Sequence, residues 1–422
     1  LIDRADKVRA NLQKWDVTVF VMNQLLNFLL MAIALFLFIP IGVLWVECLA
    51  AALPTRRTSQ VALMDRPTIA VLVPAHDEAG GIGTALSTVL PQLTPHDRLI
   101  VIADNCTDET AVVAREAGAT VIERHDLEHR GKGYALDFGL KFLASAPPDV
   151  VVVVDADCLV AEGAIAQISR LAGMKQRPVQ ASYLLAQPSA PSPSAAVSIL
   201  AFTVKNLVRP LGLAQLGQPC LLTGTGMAFP WSVIHQVSWA SGNIVEDMQL
   251  SLDLLLAGYP TVFCAEASVT GALPQQEQAA MSQRTRWEHG HLQTLLSQVP
   301  RLLQAWVSQK RFNLLAIALD LCVPPLSLLV MLWAVSLIAA GILSLTLGLY
   351  QPVLLLALEG LLILMAVTIA WAKFTRDSLP LATLLSVPLY ILWKIPLYFA
   401  FLRKPQTQWV RTERDLAKSQ EL

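Results

Sequence analysis

Val150-Val151-Val152-Val153-Val154-Asp155-Ala156-Asp157 is the stretch that decides the fold. Five valines in succession favour an extended strand buried on both faces, the environment of a parallel sheet closed in by helices. The run ends on two carboxylates one residue apart. At a strand end such a pair can hold a hard cation through oxygen while leaving positions free for other oxygen ligands. An Asp-x-Asp tripeptide alone occurs by chance in many chains, so its weight comes from the strand before it.

Working outward, Ile69 to Val73, Leu99 to Ala103 and Thr120 to Glu123 are further short strand-like runs, and the stretches between them have helical periodicity. From Thr68 to Leu171 this alternation predicts a parallel α/β sheet. Ligands of such sheets bind at the carboxyl ends of the strands. Pro74-Ala75-His76-Asp77-Glu78 follows the first run, Asp104-Asn105-Cys106-Thr107-Asp108 the second, and Asp155-Ala156-Asp157 the fourth. One aspartate after a strand is ordinarily a turn or helix cap, as Asp77 and Asp108 would be alone. Three acidic clusters on one edge are expected to share a purpose.

Further along, Gln187 to Ser194 has the Pro/Ser content of a surface loop, and Ala195 to Leu213 is expected to form an amphipathic helix near a membrane. Thr223-Gly224-Thr225-Gly226-Met227 permits close backbone approach to a ligand or makes a tight turn. Val245-Glu246-Asp247 opens a helical stretch, where a carboxylate also serves as a cap. In Gln283-Arg284-Thr285-Arg286-Trp287, helical spacing puts Gln283, Arg286 and Trp287 on one face. That face suits diphosphate oxygens and a sugar ring, or else anchors the chain at a membrane surface.

The chain has 422 residues, 54% hydrophobic and 15% charged, with a formal net charge of -1. That balance requires some of it to sit in lipid and argues against a nucleic-acid partner. Six cysteines at wide spacings form no CxxC pair and read as reduced, mostly buried thiols.

Val17 to Val46 carries no charge and exceeds the length of one membrane crossing. Too long for a cleavable leader, it is expected to stay attached. Later apolar segments run from Leu314 to the break at Pro324-Pro325, from Leu326 to Leu349, from Pro352 to Ala372, and from Leu379 to Leu402, the last kinked or partly re-entrant at its prolines. Arg56, Arg57 and Arg66 after the first span place the middle of the chain in the cytoplasm. Three full spans after it would carry Arg403, Lys404, Arg411 and Arg414 outside, so either the count differs by one or one segment does not cross. Glu359 and Lys394 lie in apolar segments, and either pair with each other or line a path for sugar. The division expected is an N-terminal segment 1–16, a span 17–47, a large domain 66–300, a membrane region 312–402 of about three segments and a polar tail 403–422.

Together these pieces resemble the family 2 glycosyltransferases of GT-A fold, specifically the membrane-embedded branch with cellulose, hyaluronan and poly-N-acetylglucosamine synthases and ceramide glucosyltransferase. The resemblance spans about Thr68 to Gln293 and implies an α/β, Rossmann-like, mostly parallel sheet flanked by transmembrane helices. It implies that Pro74, Ala75, Glu78, Asp104, Lys132 and Asp155 bind the nucleotide donor, and that Asp157 with Asp155 holds Mg2+ or Mn2+. Asp247, beside Glu246, would be the catalytic base, and Gln283, Arg286 and Trp287, with Gly224, Thr225 and Gly226, would meet diphosphate and acceptor. Asp77 and Val245 depart from the family, which often has Asn and Thr there.

What the resemblance implies is an inverting, metal-dependent hexosyltransferase using a nucleotide-sugar, by family habit a UDP-sugar, to form a β-glycosidic bond. Its partners would be that donor, a carbohydrate or lipid acceptor and membrane lipid, with the catalytic domain on the cytoplasmic side of a bacterial-type inner or plasma membrane. A processive polysaccharide synthase is the leading expectation. Addition of one sugar to a lipid is the second, and an inactive membrane scaffold a minor third.

Overall fold

A computed structural model of the chain describes residues 2–54, 65–186, 192–241, 245–272 and 277–403. Arg56, Arg57, the greater part of the Gln187 to Ser194 loop, and the tail with Lys404, Arg411 and Arg414 lie outside the described residues. In chain order come α1 (Ile2–Ala52), β1 (Ile69–Ala75), α2 (Ile82–Val89), β2 (Arg98–Asp104), α3 (Thr110–Glu116), β3 (Thr120–Arg124), α4 (Lys132–Leu143) and β4 (Val150–Val153). Next are β5 (Cys158–Val160), α5 (Ala164–Lys175), β6 (Val179–Leu185), α6 (Pro193–Thr203), α7 (Arg209–Gln215), β7 (Met227–Pro230), α8 (Trp231–Ile234), α9 (Glu246–Leu256) and β8 (Val262–Gly271). The remainder is helical: α10 (Glu277–Gln309), α11 (Phe312–Cys322), α12 (Leu326–Leu347), α13 (Tyr350–Ala370) and α14 (Val387–Arg403).

The strands form one sheet in the order β3-β2-β1-β4-β7-β6-β8-β5. β3, β2, β1 and β4 run parallel, as the alternation of runs and amphipathic stretches predicts. Beyond β4 the sheet is mixed: β7 is antiparallel to both β4 and β6, and β5 is antiparallel to β8. The valine run is buried on both sides because α2, α3 and α5 cover one face, while α4, α8 and α9 cover the other. Asp77 and Asn105, the turn residues after β1 and β2, both adopt positive φ. Asp and Asn tolerate that left-handed conformation better than most residues, which accounts physically for an Asp where the family often has Asn.

Five helices among the described residues are long and apolar enough to cross a membrane: Phe20–Ala52, Ser194–Gln215, Leu326–Leu347, Tyr350–Thr375 and Leu384–Phe401. Four overlap the apolar segments expected to span. The fifth contains Ala195 to Leu213, expected as an amphipathic helix near a membrane, and is largely enclosed by the rest of the chain. It is α6 and α7 joined by a π-helical turn, Val204–Val208. Pro210 has no amide hydrogen to continue the α ladder across that joint, which favours a local change of winding.

α7 crosses α1 at Gly212, where an added Cβ would lie 2.1 Å from the Glu47 carbonyl oxygen. Beside the crossing, Arg209 donates from Nε to Glu47 at 2.8 Å and from Nη2 to Asp320 at 2.6 Å, tying α1, α7 and α11 together. α13 packs on α12 at Gly360, against the Trp333 ring. Small residues at such contacts let helix backbones close on each other.

The expected Glu359–Lys394 pair does not form. Lys394 is ion-paired with Glu288 of α10, whereas Glu359 is fully buried on α13 with neither carboxylate oxygen hydrogen-bonded among the described residues. The two residues sit on α13 and α14, and α14 instead packs on α12 and α6.

Candidate active site

The carboxyl ends of β1, β2 and β4 open on one cavity of about 380 Å³. Pro74 and Ala75 line it from the end of β1, Glu78 from the turn that follows, Asp104 from β2, and Asp155 and Asp157 from the turn after β4. Lys132 enters from the N-terminus of α4, Gly224 from the loop before β7, Glu246 and Asp247 from the first turn of α9, and Gln283, Arg286 and Trp287 from α10. Parallel pairing sets the ends of β1, β2 and β4 side by side, so acids far apart in sequence converge. Thr225 and Gly226 stand behind the wall: Thr225 is wholly buried and its Oγ accepts from the Asp155 amide at 3.1 Å. Gly226, at positive φ, gives room to Val269, which an added Cβ would meet at 2.8 Å.

Lys132 is ion-paired with Asp155 and also donates to the Gly224 carbonyl at 2.8 Å. Burial works against its charge, yet Asp155, Glu246 and Asp247 outweigh it and hold the ammonium above its ordinary value. Gly224 has φ +92, and an added Cβ would come within 3.2 Å of an Asp247 carboxylate oxygen, so glycine is needed there on both counts. Burial, and after it the charge of Asp247, pushes Glu246 up to about 7, with Lys132 pulling the other way.

Asp155, Asp157 and Cys158 bring potential ligand atoms within 4.8 Å of one another. Burial pushes the Cys158 thiol well above its ordinary value, which keeps it protonated and leaves the oxygens as the donors a hard divalent cation prefers. Gln283 Oε1 and Arg286 Nε are buried in the cavity wall with no hydrogen-bond partner among the described residues. Buried polar atoms are ordinarily paired, so these two fit a wall whose partner is a ligand.

Arg124, Lys205 and Tyr390 shape the cavity with no signal in the sequence, while Asp77, Asp108 and Lys394 take up roles that the sequence left open. Arg124 of β3 donates to Asp104 at 2.7 Å; burial raises the Asp104 carboxyl, with Arg124 opposing. Only the β2–β3 register reveals that pair. Asp77 accepts from the Thr107 amide at 2.6 Å, and Asp108 from the Ala79 amide at 3.0 Å, so the two turn aspartates lock the loops after β1 and β2 to each other. Lys205, on the π turn, and Tyr390 and Lys394, on α14, also line the cavity. Aromatic contacts run from Tyr183 through Phe202, with ring centroids 5.0 Å apart, to Trp287 at 5.6 Å.

A sequence model described as "Glycosyltransferase like family 2" matches residues 67–290, just over half of the chain. YdaM of Bacillus subtilis (strain 168), described as a glycosyltransferase, is 25% identical over 261 residues, which are 56% of this chain and 57% of that protein. Glucosyl-3-phosphoglycerate synthase of Mycolicibacterium paratuberculosis (strain ATCC BAA-968 / K-10) is 37% identical over 98 residues, 22% of this chain and 29% of that one. The chain thus spans little more than half of the first relative's length and under a third of the second's. In three dimensions it is similar to the mannosyltransferase PcManGT from Pyrobaculum calidifontis, solved in complex with GDP-Man and Mn2+. That likeness, at 20% identity and a TM-score of 0.53, covers 82% of this chain and 99% of that one, and shows the fold.

Proposed function

The chain belongs to glycosyltransferase family 2 and has its GT-A fold, and from that premise we propose that it is an inverting, metal-dependent transferase that moves a sugar from a nucleotide-sugar to a hydroxyl of a lipid acceptor. The supporting observation is a single cavity that begins among the strand-end carboxylates and ends among apolar helices. At that far end it is lined by Leu44 of α1, Leu326 and Ser327 of α12, and Tyr390 and Lys394 of α14.

Asp157, with Asp155, would hold Mg2+ or Mn2+, the ion that accompanies GDP-Man in the archaeal mannosyltransferase. Such an ion, when bound, supplies positive charge to the diphosphate oxygens. Asp104 and the Pro74 to Glu78 turn border the space for the nucleoside, and the Arg286 guanidinium donates to the leaving diphosphate as its charge develops. Asp247 takes the proton from the acceptor hydroxyl while that oxygen bonds to the anomeric carbon and the carbon–diphosphate bond breaks. One displacement inverts the centre, so an α-linked donor gives a β-linked product. Trp287 offers its indole face to a sugar ring. The catalytic domain is assigned to the cytoplasmic side, where nucleotide-sugars occur.

Lipid acceptance is favoured over polymer export by how the far end is bridged. Lys394 pairs with Glu288, the Ser327 and Tyr398 hydroxyls meet at 2.6 Å, and the Ser198 and Tyr390 hydroxyls at 2.9 Å, joining α14 to α10, α12 and α6. A processive synthase remains the second reading, supported by Gln283, Arg286 and Trp287 lying together in the cavity. Incubating the purified chain in lipid with radiolabelled nucleotide-sugars and Mn2+, then sizing the product, tests both. One lipid-bound sugar supports the first, a long chain selects the second, and no product with any donor overturns the transferase proposal.

A further inference from the structure

Lys205 has no place in the steps above. Three other cations of the cavity are paired: Lys132 is bound to Asp155, Arg209 to Glu47 and Asp320, and Lys394 to Glu288. The Lys205 side chain makes no hydrogen bond and no ion pair among the described residues, and it is exposed to the cavity that it lines. The charged groups that act on it are the carboxylates of Asp247, Glu288 and Asp320 and the guanidinium of Arg209.

The backbone beneath Lys205 is also unusual. It lies in the π turn between α6 and α7, the kind of local widening that recurs at functional sites. An ammonium that lines a cavity without a fixed partner is best matched by a ligand that brings the opposite charge. A neutral hydroxyl accepting from it would leave that charge uncompensated, whereas an anionic oxygen both accepts and neutralises. Arg286 serves the donor in the mechanism proposed above, whereas Lys205 lines the same cavity as Asp247, where the acceptor oxygen reacts.

We propose that Lys205 binds an anionic group, phosphate or carboxylate, in the headgroup of an amphiphilic acceptor whose apolar portion lies toward α1, α12 and α14. The proposal rests on the lipid-acceptor reading and deepens it. Lys205 then fixes the headgroup while Asp247 deprotonates a hydroxyl beside it, and specificity for anionic over neutral lipids follows.

The test uses the full chain in neutral phosphatidylcholine nanodiscs, titrated calorimetrically with decyl phosphate, decanoate, 1-decanol and inorganic phosphate, with Mn2+ and nucleoside diphosphate binding measured in parallel. Decyl phosphate or decanoate is expected to bind at least about tenfold more tightly than 1-decanol and than inorganic phosphate. Lys205→Gln should abolish the preference over 1-decanol, and Lys205→Arg should keep most of it. Equal binding of decyl phosphate, decanoate and 1-decanol overturns the anion assignment, and equal binding of inorganic phosphate overturns the lipid one. The wild-type comparison decides the matter even if Lys205→Gln does not fold. Failure of this inference with Mn2+ and nucleotide still binding leaves the transferase reading standing; loss of nucleotide binding strikes that reading instead.

Discussion

The ammonium of Lys132, at the head of α4, is bound to the carboxylate of Asp155 at the end of β4, and its second contact is the Gly224 carbonyl at 2.8 Å. A cation thus sits beside one member of the Asp-x-Asp pair and within the field of Glu246 and Asp247. Two consequences follow for the site: Asp155 is already partly neutralised, so Asp157 carries more of any metal's charge, and the glycine loop is tied to the base of the pocket.

Lys132→Met should therefore weaken donor use. Charge-assisted hydrogen bonds contribute about 1.5–3 kcal/mol, so the donor KM is expected to rise by roughly 10- to 100-fold. Steady-state kinetics with varied nucleotide-sugar checks it, and an unchanged donor KM would remove Lys132 from the donor site.

Asp247→Asn keeps the shape of the side chain and removes its ability to accept a proton. Turnover should fall by roughly 100-fold or more, while nucleotide binding persists. Single-turnover rates alongside nucleotide affinity separate the two effects. Near-normal turnover would assign the base elsewhere.

Glu246 makes stability depend on pH. Its folded value, about 7, lies above the ordinary value of 4.5, so between these limits the folded chain holds more of this proton than the unfolded one. The stabilisation is whole below about 4.5 and is lost as pH rises through about 7. Thermal melts in detergent from pH 5 to 8 should show melting temperature falling with pH, and Glu246→Gln should flatten that slope. An identical slope in the variant would exclude Glu246 as its source.

Gly212→Ala should disrupt the α1–α7 crossing, because the new methyl would meet the Glu47 carbonyl at 2.1 Å. Overpacking of this kind costs about 1–3 kcal/mol. Gly42→Ala, on the same helix α1 with nothing within 4 Å of the added carbon, should instead be neutral or gain about 0.5–1 kcal/mol from helix propensity. Opposite signs in paired melting curves are the expected outcome.

Lys394→Met leaves the partly buried Glu288 without this partner and should cost up to about 3 kcal/mol, with Glu288→Gln restoring part of the loss in the double variant. Glu359→Gln should be neutral or stabilising and additive with Lys394→Met, since the two do not pair. Non-additivity between positions 359 and 394 would contradict the observed pairing.

Much of the parallel half of the sheet was legible because each strand there is a continuous apolar run with its polar residues just past the end: Ile69 before Glu78, Leu99 before Asp104, and Val150 before Asp155 and Asp157. The mixed half was not. β6 and β8 mix buried and less buried positions, β7 is only four residues long, and the three pair across long separations, as Val179 does with both Ala228 and Val262. Of the fifteen residues singled out for the site, only Thr225 and Gly226 fall behind the cavity wall, where their work is to carry a hydrogen bond and a tight turn. Lys205 left no signal in the linear pattern, since a lysine inside an apolar helix looks the same whether it faces water, lipid or an enclosed space.

By itself the sequence determined that parts of this chain are apolar and long enough to cross a membrane, that its middle folds as an open α/β sheet, and which carboxylates stand at the strand ends. These follow from hydrophobic period and chain order, which are local. Only the tertiary structure decided which charges pair, as Lys394 does with Glu288 and not Glu359, and that Lys205 faces the cavity. Those outcomes depend on distances between elements hundreds of residues apart, and ion pairing in a low-dielectric interior is settled by a few ångströms of such packing.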